Sequence, residues 1–408
     1  MFLRLAIRNL SRNRRRTVLT GLAIAVGLAL MVVTASVQNG GYQQAIQSAI
    51  AQTAGHVVVQ AKGYQDEREV TLLVQKSDEM ASELEDVFPD AVMARRIFLS
   101  GLIMSPANSV GAAVHGLEPE AERKIGEFHE KIVEGQWLDE DDRGIVLGQA
   151  MAQSLSVGLS DKVVYMGQHG GGEMVSRLFR VKGIFRTGSA EMDGMFALVT
   201  LGAAQDVLSA PGAAHQVTVH LPDARDSAAA TVRARERLDD PGLEVLSWSG
   251  ALPELYALIQ IDRSSADVML AILAAIVAMG VLNTLLMSVL ERTREFGVLL
   301  SIGLRRRFLV RLIMLEALAL GVFGSLMGLV LGALGTWPLA VYGLDLTESM
   351  GESYEMAGVT TSAFLYASFD VQRVIGFSIA MILFTLLAAL YPAWWLTRLK
   401  PVDAMRHH

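Results

Sequence analysis

The sequence predicts an α-helical membrane protein with four transmembrane helices, plus an α+β extracytoplasmic (periplasmic) domain inserted between helices 1 and 2. Three observations carry this reading. Four apolar runs, nearly free of charge and each about 18 residues or longer, can cross a bilayer core of ~30 Å as helices. Arginines crowd the short segments on one side of them. Between the first two runs, over residues 55–250, the apolar spacing leaves the helical period for short alternating or β-branched stretches broken by Gly, Pro and Asp.

Composition agrees. Of 408 residues, 52% are hydrophobic and 19% charged, more apolar than an ordinary soluble enzyme. The formal net charge of -7 is unevenly spread, so it reports topology rather than an acidic surface. The absence of cysteine excludes disulfides, a thiolate nucleophile, Cys-ligated zinc and a lipoprotein acylation site. No solenoid-period repeat or low-complexity tract is present.

Taken in order, residues 1–16 form a cytoplasmic amphipathic lead-in carrying Arg4, Arg8, Arg12, Arg14, Arg15 and Arg16 and no acid. The first span, 17–39, has an apolar run longer than the roughly 7–15 residues of a signal peptide, so it reads as an uncleaved anchor. Residues 43–54 are polar but helix-compatible and extend the helix out of the membrane. The 40–265 domain offers strands at 56–60, 92–98, 111–114, 145–147, 162–166, 178–184, 196–201, 217–221 and 243–246. Its helices are 78–87, started by Ser77; 149–156; 203–208; and 227–238, started by Asp226.

The second span, 266–290, leads into a loop, 291–311, that holds Arg292, Arg294, Arg305, Arg306, Arg307 and Arg311. The third span, 312–340, carries one acid, Glu316, expected in an ion pair with the nearby Arg305 to Arg311 cluster. Gly324, Gly328 and Gly332 share one face of it and suit close helix packing within the chain. The loop 341–373 sets Asp345, Glu348, Glu352, Glu355 and Asp370 against Arg373, the fourth span is 374–396, and the tail, 397–408, adds Arg398, Lys400 and Arg406. Cationic loops stay cytoplasmic, so both termini are inside and the large domain outside.

Catalytic signals are missing. Gly170-Gly171-Gly172 lacks the Gly-Lys-Ser/Thr of a phosphate loop and reads as a hairpin tip. His56, His115, His129, His169, His215 and His220 lack metal-ligand spacing. No Gly-x-Ser-x-Gly elbow occurs, and His407 and His408 carry no role. The 291–311 loop contains the patterned element: a short amphipathic helix with Phe296, Leu299, Leu300 and Ile302 as apolar surface and Gly303 as its turn into the third span. Such a helix either docks in a partner's groove or anchors the loop at the membrane surface, and its residues alone leave both open.

The run Arg294-Glu295-Phe296-Gly297-Val298-Leu299-Leu300-Ser301-Ile302-Gly303 resembles the coupling-helix motif of the FtsX and MacB superfamily of ABC transporter permeases. Ala6-Ile7-Arg8-Asn9-Leu10-Ser11-Arg12 with Arg16-Thr17, Glu316-Ala317, and Pro401-Val402-Asp403-Ala404-Met405-Arg406 agree with it, the last with Asp and Met where the family pattern has Glu and Leu. Within the superfamily, Gly144-Ile145-Val146-Leu147-Gly148, Gly158-Leu159-Ser160-Asp161-Lys162-Val163 and Phe179 to Gly188 are most similar to the lipoprotein-releasing (LolC/LolE) permeases. In the family member that docks a periplasmic lipoprotein chaperone, a proline-containing hook lies in the hairpin corresponding to 167–177. Here that tip is Gly-rich and has no proline.

The resemblance implies a non-catalytic permease subunit of the bacterial inner membrane. ATP and Mg belong to a separate ABC ATPase, present in two copies, and no cofactor is held by this chain, which itself contains no Gly-x-x-x-x-Gly-Lys-Ser/Thr. A second permease, identical or related, completes the assembly. Lipid-anchored cargo and a periplasmic lipoprotein carrier are the remaining partners it suggests, with no nucleic acid. Coupling to the ATPase is expected at Arg294, Glu295, Phe296, Gly297, Leu299, Leu300, Ile302 and Gly303. A groove for an acyl chain is expected where the first two spans leave the membrane, at Leu30, Met31, Val33, Val268, Met269 and Ile272. Extraction of lipoproteins from the outer leaflet is the leading function. MacB-like efflux of a drug, peptide or glycolipid, and FtsX-like signalling to a cell-wall hydrolase, are the alternatives.

Overall fold

A computed structural model describes residues 14–398 apart from 127, 141–142, 170–171, 223–225, 352 and 357. Arg4, Arg8, Arg12, Gly170, Gly171 and the closing motif at 401–406 lie outside the described residues. The chain divides into two units, residues 1–43, 260–345 and 364–408 in one and 44–259 with 346–363 in the other.

Among the described residues, four helices are long and apolar enough to cross a membrane, and the first unit holds them apart from 44–49 and 253–259, which belong to the second. The four are Arg14–Ala49, Pro253–Glu291, Arg306–Val341 and Val371–Thr397. The first two have 36 and 39 residues, roughly 54 and 58 Å at 1.5 Å per residue, and so exceed a ~30 Å hydrocarbon core. As the polar stretch after the first span suggested, that helix continues, closing in a π-helical turn, Ile50–Ala54, stopped by Gly55 at φ +62°. In this unit Ile24, Leu28, Leu270, Val281, Leu320 and Met381 are among the residues of one core. The glycine face of the third helix meets the first: a Cβ on Gly324, Gly328 or Gly332 would lie 2.7, 2.8 or 2.9 Å from the Cβ of Ile24, Leu28 or Val32. Only glycine permits that separation. The fourth helix starts at Asp370, whose carboxylate accepts the Arg373 backbone N–H at 3.1 Å.

The second unit is built on a ten-stranded sheet. Its strands are β1 Val57–Ala61, β2 Val92–Met104, β3 Ser109–Leu117, β4 Ile132–Gly135, β5 Gly144–Gly148, β6 Lys162–Gln168, β7 Met174–Phe185, β8 Phe196–Thr200, β9 Gln216–His220 and β10 Leu243–Ser247. The order is β10-β1-β9-β2-β3-β8-β5-β7-β4, and β6 pairs with both β2 and β7. Strands β2, β3, β8, β5, β7 and β6 therefore close into a ring, with β9, β1 and β10 as a wing on β2. All pairings are antiparallel except β3 with β8 and β5 with β7. Helices Ser77–Val87 and Ser227–Leu238 cover the wing, placing Leu84, Ala230 and Ala234 on Val57, Val59 and Val217.

The helix 227–238 starts after Asp226 as expected, whereas the helix expected from Asp78 begins one residue earlier. Ser77 is buried inside its helix and its Oγ donates to the Gly212 carbonyl at 2.9 Å, while Lys76 in the left-handed region precedes it. Asp226 precedes its helix but makes no side-chain cap bond. Strand β4 and helices Pro119–Ile125 and Ala190–Met195 were not foreseen. Neither was a buried ion pair on β2: Arg96 Nε and Nη2 donate to Glu122 at 2.7 and 3.1 Å, and Nη2 also reaches the Ala51 carbonyl at 2.9 Å. The loop after the third span also departs from a plain connection. Strand β11 Leu344–Asp345 pairs with β14 Phe364–Leu365 in the first unit, whereas β12 Ser353–Met356 and β13 Val359–Ser362 belong to the second. There the Gln52 amide donates to the Thr360 carbonyl at 2.8 Å and accepts its N–H at 3.1 Å.

Candidate functional site

Between the second and third long helices lies a nine-residue helix, Thr293–Ser301. The corner that leads into it is made by side chains. Thr293 Oγ1 donates to the carbonyls of Val289 and Leu290 at 3.2 and 2.7 Å, bending the chain out of the second span. Its exit is a glycine cap: Gly303 takes φ +98°, its N–H donates to the Leu300 carbonyl, and that of Leu304 donates to Leu299, both at 3.1 Å. A side chain at 303 would be strained, which is the reason for glycine there.

Arg292 ties this helix to the third span. Its Nε donates to Glu295 at 3.2 Å, its Nη1 donates to Glu316 at 3.2 Å, and its guanidinium carbon lies 5.1 Å from the centre of the Phe296 ring. Glu316 is buried, so a cation at that distance is what makes an acid tolerable at this depth. The expected ion pair is thus present, with Arg292 as a partner of Glu316. In that cluster Arg306 Nη1 donates to the Thr397 carbonyl at 2.7 Å, a cation at the end of the fourth helix, where the helix dipole is negative.

Phe296 requires a correction. The sequence reading offers it as apolar surface for a partner, but only 2% of it is exposed, and it packs in the same core as Val289, Leu309 and Ile313. Gly297 is buried beside it, and Leu299 and Leu300 are half-buried against that core. The physical reason is that apolar residues occupy both faces of this helix and the larger ring takes the inner one. What faces outward is Val298, 43% exposed, and Ile302, 74% exposed, among the exposed Arg294, Glu295 and Ser301. Val298 lies inside the Arg294 to Gly303 run but is not among the residues that the sequence offers for coupling. Its i, i+4 spacing to Ile302 is the signal that finds it.

The residues proposed for an acyl-chain groove divide likewise. Leu30, Val268, Met269 and Ile272 are exposed on the helices. Met31 is buried in the helical core, and Val33 is half-buried with its Cγ2 3.0 Å from where a Cβ on Gly335 would lie. These two serve helix packing, because consecutive helical positions point about 100° apart and cannot all share one surface. In the sheet unit, β6 and β7 form the hairpin expected from sequence, closed by His169 N–H to Glu173 O at 2.8 Å, with Gly172 at φ +81°.

Comparison with known proteins finds two families along the chain. The MacB-like periplasmic core domain family matches residues 17–237, and the FtsX-like permease C-terminal family matches 268–401. The lipoprotein-releasing system transmembrane protein LolC of Xylella fastidiosa (strain 9a5c) is 25% identical over 410 residues, covering 95% of this chain and 92% of that protein. LolE of Haemophilus influenzae is 22% identical, with 95% and 94% covered. The macrolide export ATP-binding/permease protein MacB of Shewanella sp. (strain ANA-3) is 26% identical over 99% of this chain but 60% of that protein. With one family spanning more than half of its length and the second covering its last three spans, the chain belongs to the FtsX/MacB superfamily of ABC transporter permeases.

Proposed function

We propose that this chain is the permease subunit of an ABC transporter that extracts lipoproteins, or similar lipid-anchored cargo, from the outer leaflet of the bacterial inner membrane. The observation that carries this reading is the end-to-end likeness to LolC and LolE, above nine-tenths of each. ATP is hydrolysed by a separate subunit in two copies, a reading supported by the absence of a phosphate-loop motif from the sequence. A second permease, identical or related, completes the assembly. The termini and the 291–311 loop are cytoplasmic, as the arginine pattern supports.

In this account the ATPase grips the outward face of Thr293–Ser301 through Val298 and Ile302. Movement of that helix is carried inward by Phe296 and by the bridge from Arg292 to Glu316, so the second and third spans move with it. The first and second helices, continuous well beyond a bilayer's thickness, act as levers. A second reading, efflux of a soluble or amphipathic compound, is favoured by the likeness to MacB across this whole chain. Depleting the chain in its host separates the two. Lipid-anchored proteins destined for the outer membrane should accumulate in the inner membrane, whereas normal sorting with a gain in drug or peptide sensitivity would establish the second reading.

A further inference from the structure

The sheet unit contains a cavity of about 430 Å³, within the range typical of small-molecule sites. Aromatic rings form much of its wall, and they hold one another in place. Tyr64 stacks on His215 with centroids 5.0 Å apart, and Phe98 lies nearly parallel to His215 at 6.3 Å. His115 meets Phe98 and Phe196 edge-on at 4.8 and 4.9 Å. His215 is itself fixed: its Nδ1 accepts the Phe98 backbone N–H at 3.0 Å, which leaves Nε2–H to donate to the Val70 carbonyl at 3.2 Å. The wall is therefore preorganised.

Three polar groups on this wall lack partners among the described residues. Tyr64 is 7% exposed, and its hydroxyl makes no hydrogen bond. The His115 ring has aromatic neighbours and no hydrogen bond. Gln216 donates through Nε2 to Gln60 Oε1 at 3.0 Å, yet its buried Oε1 has no partner. Buried polar groups are rarely left unsatisfied in native proteins, so the Gln216 oxygen asks for an explanation, and the Tyr64 hydroxyl and the half-buried His115 ring line the same cavity. Together they offer a hydroxyl, an imidazole with one donor and one acceptor, and an amide oxygen. The charged residues that line the cavity, Arg68 and Glu254, are solvent-exposed. A charged ligand would find no buried counter-ion, and its desolvation would go uncompensated.

We propose that this cavity binds an uncharged small molecule with an aromatic or alicyclic body and at least two hydrogen-bonding oxygens, held by Tyr64, His115 and Gln216. The site is independent of the cargo reading.

The probe is 4-hydroxybenzophenone, a neutral aromatic ketone with one hydroxyl, which crosslinks on irradiation and reacts readily with methionine such as the cavity-lining Met192. It is applied to the full chain in lipid nanodiscs, and adducts are mapped by mass spectrometry. Saturable labelling of the peptide that holds Met192 is expected. Tyr64→Phe keeps the stack on His215 and removes only the hydroxyl, so it should weaken half-saturation about two- to tenfold, as should His115→Phe. Ala113→Trp, which fills the cavity, should abolish that adduct while leaving any labelling of the spans unchanged. Labelling that does not saturate, or adducts confined to the spans, would overturn the proposal. So would unchanged half-saturation in both Tyr64→Phe and His115→Phe, whatever the folding of the Ala113 variant.

Discussion

Phe296 and Ile302 lie in one short segment and have opposite surroundings, one enclosed by the chain's own core and the other three-quarters exposed. Substitution should separate their roles. Phe296→Ala leaves a cavity among Val289, Leu309 and Ile313 and should cost about 3–5 kcal/mol of stability, read as a lower midpoint of thermal unfolding of the purified chain in detergent. Ile302→Ala should leave that midpoint unchanged. Equal midpoints for Phe296→Ala and the unsubstituted chain would remove Phe296 from the core. Histidines in the sheet unit set a pH limit of their own. Burial pushes His115 down to about 3 and His215 down to about 4, from an ordinary value of 6.5. The unfolded rings bind protons that the folded ones refuse, so this stability is fully present above about pH 6.5 and is lost as pH falls towards the folded values, at about 1.4 kcal/mol per unit of separation. The urea midpoint of the sheet unit should fall between about pH 7.5 and 5, and fall less in His115→Phe. A flat profile would contradict rings that stay neutral in the folded chain.

Among the elements, those fixed by length or local chemistry were legible in the sequence. Four spans, the continuation of the first helix past residue 43, and the turn at Gly303 follow from apolar run length, helix compatibility and the steric freedom of glycine. Elements fixed by distant partners were not. Strand β4 has one half-buried and three exposed residues, so it lacks an apolar alternation to read. The attachment of 346–363 to the sheet unit rests on Gln52 bonding to Thr360 across the chain, which no local pattern announces. For the helix Thr293–Ser301, the amphipathic period is visible in the sequence but its inner face is not, because two apolar faces compete and packing against Leu309 and Ile313 decides between them. The glycine stripe gives an element-scale test. Gly328→Leu must displace Leu28 and should cost about 1–3 kcal/mol, whereas Gly280→Leu, with nothing within 4 Å of its Cβ position, should be tolerated. Unfolding midpoints in detergent compare them, and equal loss at both positions would contradict the packing of the first helix on the third.

At the scale of the whole molecule, orientation comes first. Cysteines introduced singly at Ser109 and Ser349, both exposed, should react with a membrane-impermeant thiol reagent in intact spheroplasts, and one at Ser301 should not. Labelling of position 301 without permeabilisation would reverse the topology and place the helix Thr293–Ser301 away from any cytoplasmic ATPase. The central claim is that the exposed face of Thr293–Ser301 receives the ATPase while its buried face passes the movement on. Its most direct measurement is ATPase association and cargo release by the reconstituted complex carrying Val298→Glu and Ile302→Glu together. Those positions face away from the core, so the permease should fold with an unchanged unfolding midpoint, while loss of interface anchors worth about 2 kcal/mol or more should weaken association by about thirtyfold or more and abolish release. Normal association and release in a folded double variant would contradict the account and leave this helix as an anchor of the loop at the membrane surface.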